Sequence, residues 1–183
     1  MNEIDRKHDE LLAIRCQLGE PAAFDALIER WHGPLWKYLR RLTGDDDAAA
    51  EAVQEVWLRV LRGLPRLRDA SRLRPWIFGI ARRVMMDRLR QKYAEPTLLS
   101  TDDVELEGAA DASDLEEELA LLHEELSRLP PVERDVVAFF YLQELTLAEI
   151  AEVVGIPVGT VKSRLFRARH LLRNQLMRKG VKR

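Results

Sequence analysis

Apolar residues recur every three or four positions along three long stretches of this 183-residue chain. The stretches cover residues 24–42, 49–64 and 77–85. Because an α-helix has 3.6 residues per turn, this spacing places the apolar side chains along one face of an amphipathic helix. No convincing alternation of apolar and polar residues, which would indicate strands, is present. We therefore predict an N-terminal bundle of about three helices, with a further short helix near residues 11–18.

A second group of helices is predicted in the C-terminal third of the chain. Leucines at steps of three and four indicate a helix over residues 115–129, which Pro130 and Pro131 end. Pro131 suits the first turn of the next helix, because a helix leaves its first amide groups without an internal partner anyway. We expect that next helix to run to about Leu142.

The sequence after Leu142 predicts a helix-turn-helix. Residues 146–149 read Thr-Leu-Ala-Glu, a capping-box pattern in which the Thr hydroxyl accepts from the Glu amide while the Glu carboxylate reaches back. A short apolar helix follows, Gly155 ends it, and a second helix begins at Pro157 or Val158 and runs past Arg169. A short helix, a glycine-containing turn and a second helix are the plan of this DNA-binding motif.

Composition limits the class of protein. With 46% hydrophobic and 33% charged residues, the chain can bury a core. Its longest uncharged run, residues 153–161, is far shorter than the roughly 20 residues that a membrane helix needs. No apolar stretch follows the charged N-terminus, so we predict no signal peptide. Cys16 is the only cysteine, which excludes an internal disulfide. We expect a cytoplasmic protein without direct membrane insertion.

The net charge of −2 results from cancellation between blocks of the sequence. Residues 1–95 hold 18 basic and 15 acidic side chains, for a balance of +3, and residues 127–183 hold 11 and 5, for +6. Residues 96–126 contain 11 acidic side chains and no basic one. Two basic modules on either side of an acidic strip indicate a nucleic-acid partner.

The acidic strip begins with a segment that has no helical period. We therefore predict an all-α chain of two small helical domains, residues 1–95 and 115–183, joined by a flexible acidic linker at residues 96–114. Two interpretations of the linker remain open. It is either a solvated connector, or a functional segment that occupies a basic channel or prevents the basic modules from binding DNA alone.

The second helix of the helix-turn-helix presents a polar face to solvent. At 100° per residue, Val161, Leu165, Ala168 and Leu172 cluster on the inward side. Phe166 lies on the outward side, where Lys162, Ser163 and Arg167 surround it. Such a surface suits a major groove, because Arg can contact guanine and Phe can pack on a thymine methyl group. The alternatives are an exposed aromatic without a role and a helical hairpin with a solvated basic face.

The N-terminal module has two surfaces of its own. Between residues 66 and 90, arginines surround Trp76, which suits single-stranded nucleic acid because bases stack on rings and phosphates contact cations. Trp76 could equally cap the core of the bundle. The helix over residues 48–58 instead carries an acidic face, which is either solvated or docks a positively charged protein.

These segments resemble the sigma-70 family of bacterial RNA polymerase sigma factors. Residues 48–58 (AAAEAVQEVWL) and 74–90 (RPWIFGIARRVMMDRLR) look like its region 2. Residues 129–134 (LPPVER), 147–151 (LAEIA) and 159–169 (GTVKSRLFRAR) look like its region 4. A chain with these two regions and no room for others resembles the small extracytoplasmic-function (ECF) group.

The resemblance implies a function for each surface. In this family, region 4 reads the −35 promoter element, which here implies the residues Gly159, Thr160, Lys162, Ser163, Arg164, Phe166 and Arg167. Region 2 melts the −10 element and captures a flipped base, partly with a loop near residues 67–73. The corresponding candidates are Arg68, Arg72, Trp76, Arg82, Arg83 and Arg90. Core polymerase binding, through the β′ clamp helices, is implied for Glu51, Gln54, Glu55 and Leu58.

The resemblance also implies partners, and this sequence departs from the family at one position. The partners are promoter DNA, core RNA polymerase (the β′ clamp helices and the β flap) and an anti-sigma factor, which could hold the chain at the membrane. Arg83 stands where the family usually has Asn. An Arg side chain offers hydrogen-bond donors only, whereas an Asn offers a donor and an acceptor.

Chemistry by the chain itself finds no support in the sequence. The four histidines are scattered, and no Cys/His or carboxylate spacing predicts a metal site. No glycine-rich phosphate loop is present. We predict no enzyme activity, catalytic residue, metal or cofactor. Beside the promoter-specificity factor, two alternatives remain: a helix-turn-helix regulator that binds duplex DNA alone, and an α-helical protein-interaction adaptor.

Overall fold

A computed structural model describes residues 3–94, 124–126 and 128–178. The chain divides into two compact units, Met1–Thr101 and Asp102–Arg183. The prediction of an all-α fold is confirmed: the described residues form helices and turns, and no strand occurs among them. The predicted linker lies outside the described residues. So does most of the predicted helix over residues 115–129, of which residues 124–126 are helical while residues 128 and 129 form a turn and a bend.

The first unit contains four long helices. They are α1 (Glu3–Gln17), α2 (Pro21–Thr43), α3 (Asp46–Gly63) and α4 (Leu73–Ala94). Helices α2, α3 and α4 include the three apolar stretches of the sequence, except for residue 64, which begins the 3-10 turn after α3. The expectation for α1 was wrong in length, since the helix begins near the N-terminus and spans 15 residues.

An ion pair explains why periodicity alone did not define α1. Asp9 is a buried charged residue, with 3% of its surface exposed. Its Oδ1 accepts a hydrogen bond from Nε of Arg30 on α2 at 2.5 Å, and Asp5 Oδ1 lies 3.4 Å from Nη2 of the same guanidinium. Arg30 also lies over the ring of Trp31, 5.8 Å from its centroid. Helix α1 is therefore joined to α2 through charge as well as through apolar contacts.

Local sequence determines the junction of α2 and α3. Gly44 ends α2 with a φ of 73°, a left-handed conformation that glycine adopts without a Cβ clash, and its amide donates to the Arg40 carbonyl. Asp45 then caps α3, because its Oδ2 accepts from the amide of Ala48 at 2.7 Å. A two-residue turn consequently reverses the chain and brings α3 back along α2.

Phe78 of α4 occupies the centre of the first core and is fully buried. Its ring meets Trp31 edge-on at a centroid distance of 6.0 Å and Tyr38 at 5.8 Å. Both partners belong to α2, so this cluster joins α4 to α2. Between α3 and α4, the predicted loop contains two short 3-10 turns, Leu64–Arg66 and Ala70–Arg72.

The second unit contains the predicted helix-turn-helix. Helix α5 (Pro131–Val137) continues into a π-helical turn (Ala138–Leu142), and α6 (Leu147–Val154) and α7 (Val158–Arg178) follow. The predicted capping box is confirmed, since Thr146 Oγ1 accepts from the Glu149 amide at 3.2 Å and Glu149 Oε2 accepts from the Thr146 amide at 2.7 Å. Gly155 ends α6 with a φ of 76°.

The second core lies between α5, α6 and α7. Its fully or nearly fully buried apolar side chains come from all three helices and the turn before α6: Val136, Phe139, Leu145, Ile150, Val161, Leu165 and Ala168. Leu172, predicted on the same face, is half-buried. This packing fixes which face of α7 points to solvent.

Among the described helices, none combines the length and the apolar character that crossing a bilayer requires.

Replacing Phe78 by Ala should destabilise the first unit by about 3–5 kcal/mol, because the substitution leaves a cavity between α2 and α4. All four tryptophans, at positions 31, 36, 57 and 76, lie in the first unit. Denaturant unfolding followed by tryptophan fluorescence therefore measures this unit specifically.

Leu11→Ala serves as the control for Phe78→Ala, since Leu11 is 54% exposed and its truncation should change the free energy of unfolding by less than about 1 kcal/mol. Equal losses in the two variants would show that the aromatic cluster is not the centre of the core.

Candidate functional site

Helix α7 presents its predicted reading face to solvent. Lys162, Ser163 and Arg167 are exposed, and Phe166 is 73% exposed although it is a large apolar side chain. Gly159, at the start of the helix, is also exposed, and Thr160 is half-buried. The face opposite carries the buried Val161 and Leu165. The predicted −35 residues are therefore all on α7, most of them on its solvent side.

Two residues of this face offer different kinds of contact. Ser163 Oγ donates to the Thr160 carbonyl at 3.0 Å, so the hydroxyl keeps its lone pairs free to accept a hydrogen bond. Phe166 offers an apolar contact among cations, which matches a thymine methyl group within a phosphate-lined groove.

Arg164 differs from the other predicted −35 residues. It is half-buried, and its Nη1 lies 3.3 Å from both carboxylate oxygens of Glu133 on α5. Glu133 is 3% exposed. The guanidinium of Arg164 is thus engaged inside the second unit. Its predicted contact with DNA stays a prediction.

Helix α4 carries one line of candidate −10 residues. Trp76, Arg83 and Arg90 are spaced by seven residues, which is two turns, so they lie on one side of the helix about 10 Å apart. Arg83 and Arg90 are exposed, whereas Trp76 and Arg82 are half-buried. Trp76, Arg83 and Arg90 are therefore placed to contact a nucleic-acid strand that runs along α4.

Trp76 also packs against the end of α3. A Cβ built on Gly63 would lie 2.9 Å from Cζ2 of the Trp76 ring, a distance that real Cβ atoms do not show. Glycine at position 63 thus allows the ring to approach the helix backbone. The structure supports a capping role for one edge of the ring, and the half-exposed remainder is available for stacking.

The loop with Arg68 and Arg72 is attached to α1. Gln17 Nε2 donates to the carbonyls of Leu64 at 3.1 Å and of Leu67 at 2.7 Å. Arg68 and Arg72 are exposed on this loop. Sequence reasoning missed Gln17, because nothing in its local pattern indicates a partner about 50 residues away.

Arg74 belongs to the basic stretch of the sequence but not to its exposed surface. Its side chain is buried, with 8% of the residue exposed, and its guanidinium lies 5.6 Å from the centroid of the Trp31 ring. The stretch therefore offers fewer cations to a ligand than its sequence indicates.

The acidic face of α3 is paired with arginines of the fold. Arg88 of α4 contacts Glu51 at 3.3 Å and Glu55 at 3.4 Å, and Arg59 contacts Glu55 at 2.6 Å and Asp87 at 3.0 Å. We call these five residues the α3–α4 ion-pair network. Burial by itself lowers the pKa of Arg59, but the hydrogen bonds with Asp87 and Glu55 outweigh it and raise the pKa.

The network divides the predicted docking residues into two groups. Glu55 is held between two arginines, whereas Gln54 and Leu58 are exposed, Leu58 by 53%. Leu61, one turn further, is also 53% exposed. Gln54, Leu58 and Leu61 share one side of α3 and form an outward strip, which we call the α3 strip. Sequence reasoning missed Leu61 because it counted this leucine within the inward apolar stripe.

Within the described ranges, no group of three or more His, Cys, Asp or Glu side chains could hold a metal ion. Burial raises the pKa of the Cys16 thiol, although Arg15 lowers it, so this thiol is protonated at neutral pH.

Two family descriptions match the chain. Residues 27–95 match Sigma-70 region 2, and residues 119–172 match Sigma-70, region 4. Together the two matches cover more than half of the sequence, and they occur in the order of the two units.

Individual relatives extend this similarity along most of the chain. The ECF RNA polymerase sigma factor SigL of Mycobacterium tuberculosis is 35% identical over 170 residues, covering 90% of this chain and 94% of that protein. The ECF RNA polymerase sigma factor SigW of Bacillus subtilis is 29% identical over 170 residues, covering 86% and 91%.

Two solved structures share the fold. CnrH, in complex with the cytosolic domain of CnrY, superposes with a TM-score of 0.71 at 24% identity, covering 94% of this chain and 99% of that one. The sigma factor RpoE of Bartonella quintana, in complex with the anti-sigma factor NepR, gives a TM-score of 0.71 at 20% identity, covering 84% and 96%.

Glu55→Arg should destabilise the first unit by about 1–2 kcal/mol, because the new cation would lie between Arg59 and Arg88. Gln54→Arg introduces one positive charge at the neighbouring exposed position and should leave the free energy of unfolding unchanged within about 0.5 kcal/mol. Urea unfolding of both variants, followed by tryptophan fluorescence, measures the difference. If both variants unfold like the parent, the ion-pair network does not contribute to the fold.

Proposed function

This chain belongs to the sigma-70 family of RNA polymerase sigma factors, within its extracytoplasmic-function group, and from that premise we propose how its residues serve promoter-specific initiation of transcription. The chain is an initiation factor that binds core RNA polymerase and directs it to promoters. The observation that carries this function is the presence of regions 2 and 4, in order, over residues 27–95 and 119–172.

We propose that α7 reads the −35 element in the major groove. The exposed face supports this, since Lys162, Phe166 and Arg167 provide a cation, an apolar surface and a planar guanidinium side by side. Arg167 would donate two hydrogen bonds to a guanine edge. Lys162, the amide of Gly159 and the hydroxyl of Thr160 would contact phosphates, because the first amides of a helix lack internal partners and hydroxyl groups commonly contact phosphates. The Thr160 amide itself donates to the Pro157 carbonyl at 2.8 Å.

We propose that the line of Trp76, Arg83 and Arg90 on α4 receives the unpaired −10 strand. The two arginines would contact phosphates or base edges while the exposed part of Trp76 stacks on a base. Arg68, Arg72 and Arg82 would add cations beside this line, with the loop held in place by Gln17.

Docking on core polymerase is assigned to the α3 strip together with Glu51. The β′ clamp helices are the proposed partner, and the β flap is proposed as a partner of region 4. Glu51 is the most exposed of the three acids of the network, with 72% of its side chain accessible, so it can contact a basic partner while Arg88 remains nearby. Glu55 would act mainly by keeping α3 and α4 together.

Residues 1–95 and 115–183 are the proposed DNA-binding domains, with residues 96–114 as their linker. The acidic balance of residues 96–126 would suit a basic channel of the polymerase. A weakly charged free chain should also bind stray DNA poorly.

Sigma factors are non-enzymatic initiation factors, and we propose that this chain likewise catalyses no reaction and needs no cofactor. We propose a cytoplasmic location, with an anti-sigma factor as regulatory partner. The complex of RpoE of Bartonella quintana with the anti-sigma factor NepR supports the proposal by analogy of fold.

Run-off transcription with core polymerase and a promoter library tests the function directly. The full chain should produce transcripts from selected promoters that core polymerase alone does not produce. Gln54→Arg should reduce these transcripts and the capture of core polymerase by the tagged chain, because the new cation repels a basic partner.

A transcript pattern that is unchanged when the chain is omitted would exclude a sigma factor. Specific binding to duplex DNA without polymerase would instead favour a stand-alone helix-turn-helix regulator. Binding to protein partners without any effect on transcription would favour an adaptor.

Arg167→Ala should weaken the preference for the −35 sequence by about 1–3 kcal/mol, the usual contribution of a bidentate contact to a base. The measurement is the ratio of transcripts from the selected promoter and from derivatives with single substitutions at −35. The ratio should change at one or two positions and remain constant at the others. A uniform loss across all promoters would indicate a phosphate contact in place of base reading.

A further inference from the structure

Glu133 is a buried carboxylate at the junction of α5 and the recognition helix α7. It lies in the first turn of α5, two residues after Pro131, and is 3% exposed. Both of its oxygens lie 3.3 Å from Nη1 of Arg164, and its Oε1 lies 3.8 Å from Nη1 of Arg167. One buried anion thus faces two arginines of the DNA-reading helix.

The two arginines stand in different environments. The Arg164 side chain is 35% exposed and supplies the charge that a buried carboxylate needs, because an unpaired ion in the interior is strongly unfavourable. The Arg167 side chain is 69% exposed. Its contact with Glu133 is too long for a hydrogen bond but short enough for electrostatic attraction.

The spacing of the two arginines explains this arrangement. Residues three apart on a helix are neighbours on its surface, so one carboxylate can lie under both side chains. Glu133 therefore attracts Nη1 of Arg167, while 69% of the Arg167 side chain stays exposed.

We propose that Glu133 is a positioning residue for −35 reading, which it serves by orienting Arg167. The proposal rests on the sigma-factor function above. A guanine offers two acceptors in one plane, and a guanidinium must present its fork in that plane to contact both. A long, free side chain loses rotamer entropy when it adopts one orientation, and a nearby anion that already restricts it reduces this loss.

The same contacts give Arg164 a role distinct from base reading. Its guanidinium neutralises Glu133 and fixes α7 against α5, so that the carboxylate stays in place beneath Arg167. The two arginines therefore differ in role: Arg164 holds α7 against α5, and Arg167 contacts the base.

The test is transcription by holoenzyme assembled from core polymerase and the full chain, on the selected promoter and on its derivative with the Arg167-dependent −35 base replaced. Glu133→Gln keeps the shape of the side chain but removes its charge. The ratio of the two transcripts should fall about two- to fivefold, as expected for the loss of a partly exposed ion pair. In an Arg167→Ala background, Glu133→Gln should cause no further fall, because the two residues act through one contact.

Glu133→Asp and Glu20→Gln complete the design. Glu133→Asp keeps the charge but withdraws it by one methylene, so it should lower the ratio with a smaller cost to thermal stability, and it replaces Glu133→Gln if that variant does not fold. Glu20→Gln removes the same charge from a surface pair with Arg15, at 2.8 Å, and should leave the ratio unchanged.

Two results would overturn the proposal. One is an unchanged ratio in both Glu133 variants; the other is an equal fall with and without Arg167, which would show that Glu133 acts only on the fold. If the parent chain itself directs no promoter-specific transcription, the proposed function fails instead, so the two failures are distinguishable.

Discussion

The pairing of arginine with carboxylate inside each unit separates the arginines that join helices from those that stay exposed. Arg30 joins α1 to α2, Arg88 joins α3 to α4, and Arg164 joins α5 to α7. Each of these pairs crosses between helices and engages a guanidinium with a carboxylate of its own unit, which leaves 28%, 29% and 35% of the three arginine side chains exposed. Arg83, Arg90 and Arg167 are left with their charge largely in solvent.

Sequence periodicity predicted the helical fold because most helices here bury one apolar face. The stretches at residues 24–42 and 49–64 coincide with α2 and α3 almost to their ends, and the glycine and capping signals defined the helix-turn-helix. Helix α1 was underestimated because Asp9 holds a position on its buried face. A polar residue there interrupts the pattern, and its partner Arg30 lies 21 residues away.

The candidate site was predictable in residue type but not in pairing. Periodicity correctly separated Phe166 from the core, since an outward position needs only a helical wheel. It could not show that Arg74 is covered by the fold, that Glu55 is shared by two arginines, or that Glu133 lies under α7. The contacts of Arg88 with Glu55, of Arg164 with Glu133 and of Arg74 with Trp31 join residues that are 31 to 43 positions apart, and only the three-dimensional arrangement brings them together.

Because Glu133 is buried, its ion pair with Arg164 should be less sensitive to salt than the exposed charges of α7. Mobile ions screen exposed charges over a distance of about 8 Å at physiological ionic strength, but they hardly enter a protein interior. Rising salt should therefore weaken the proposed contact of Lys162 with phosphates, while the carboxylate between α5 and α7 keeps its hold on Arg164. We therefore expect salt that releases region 4 from DNA to leave the packing of α7 on α5 unchanged.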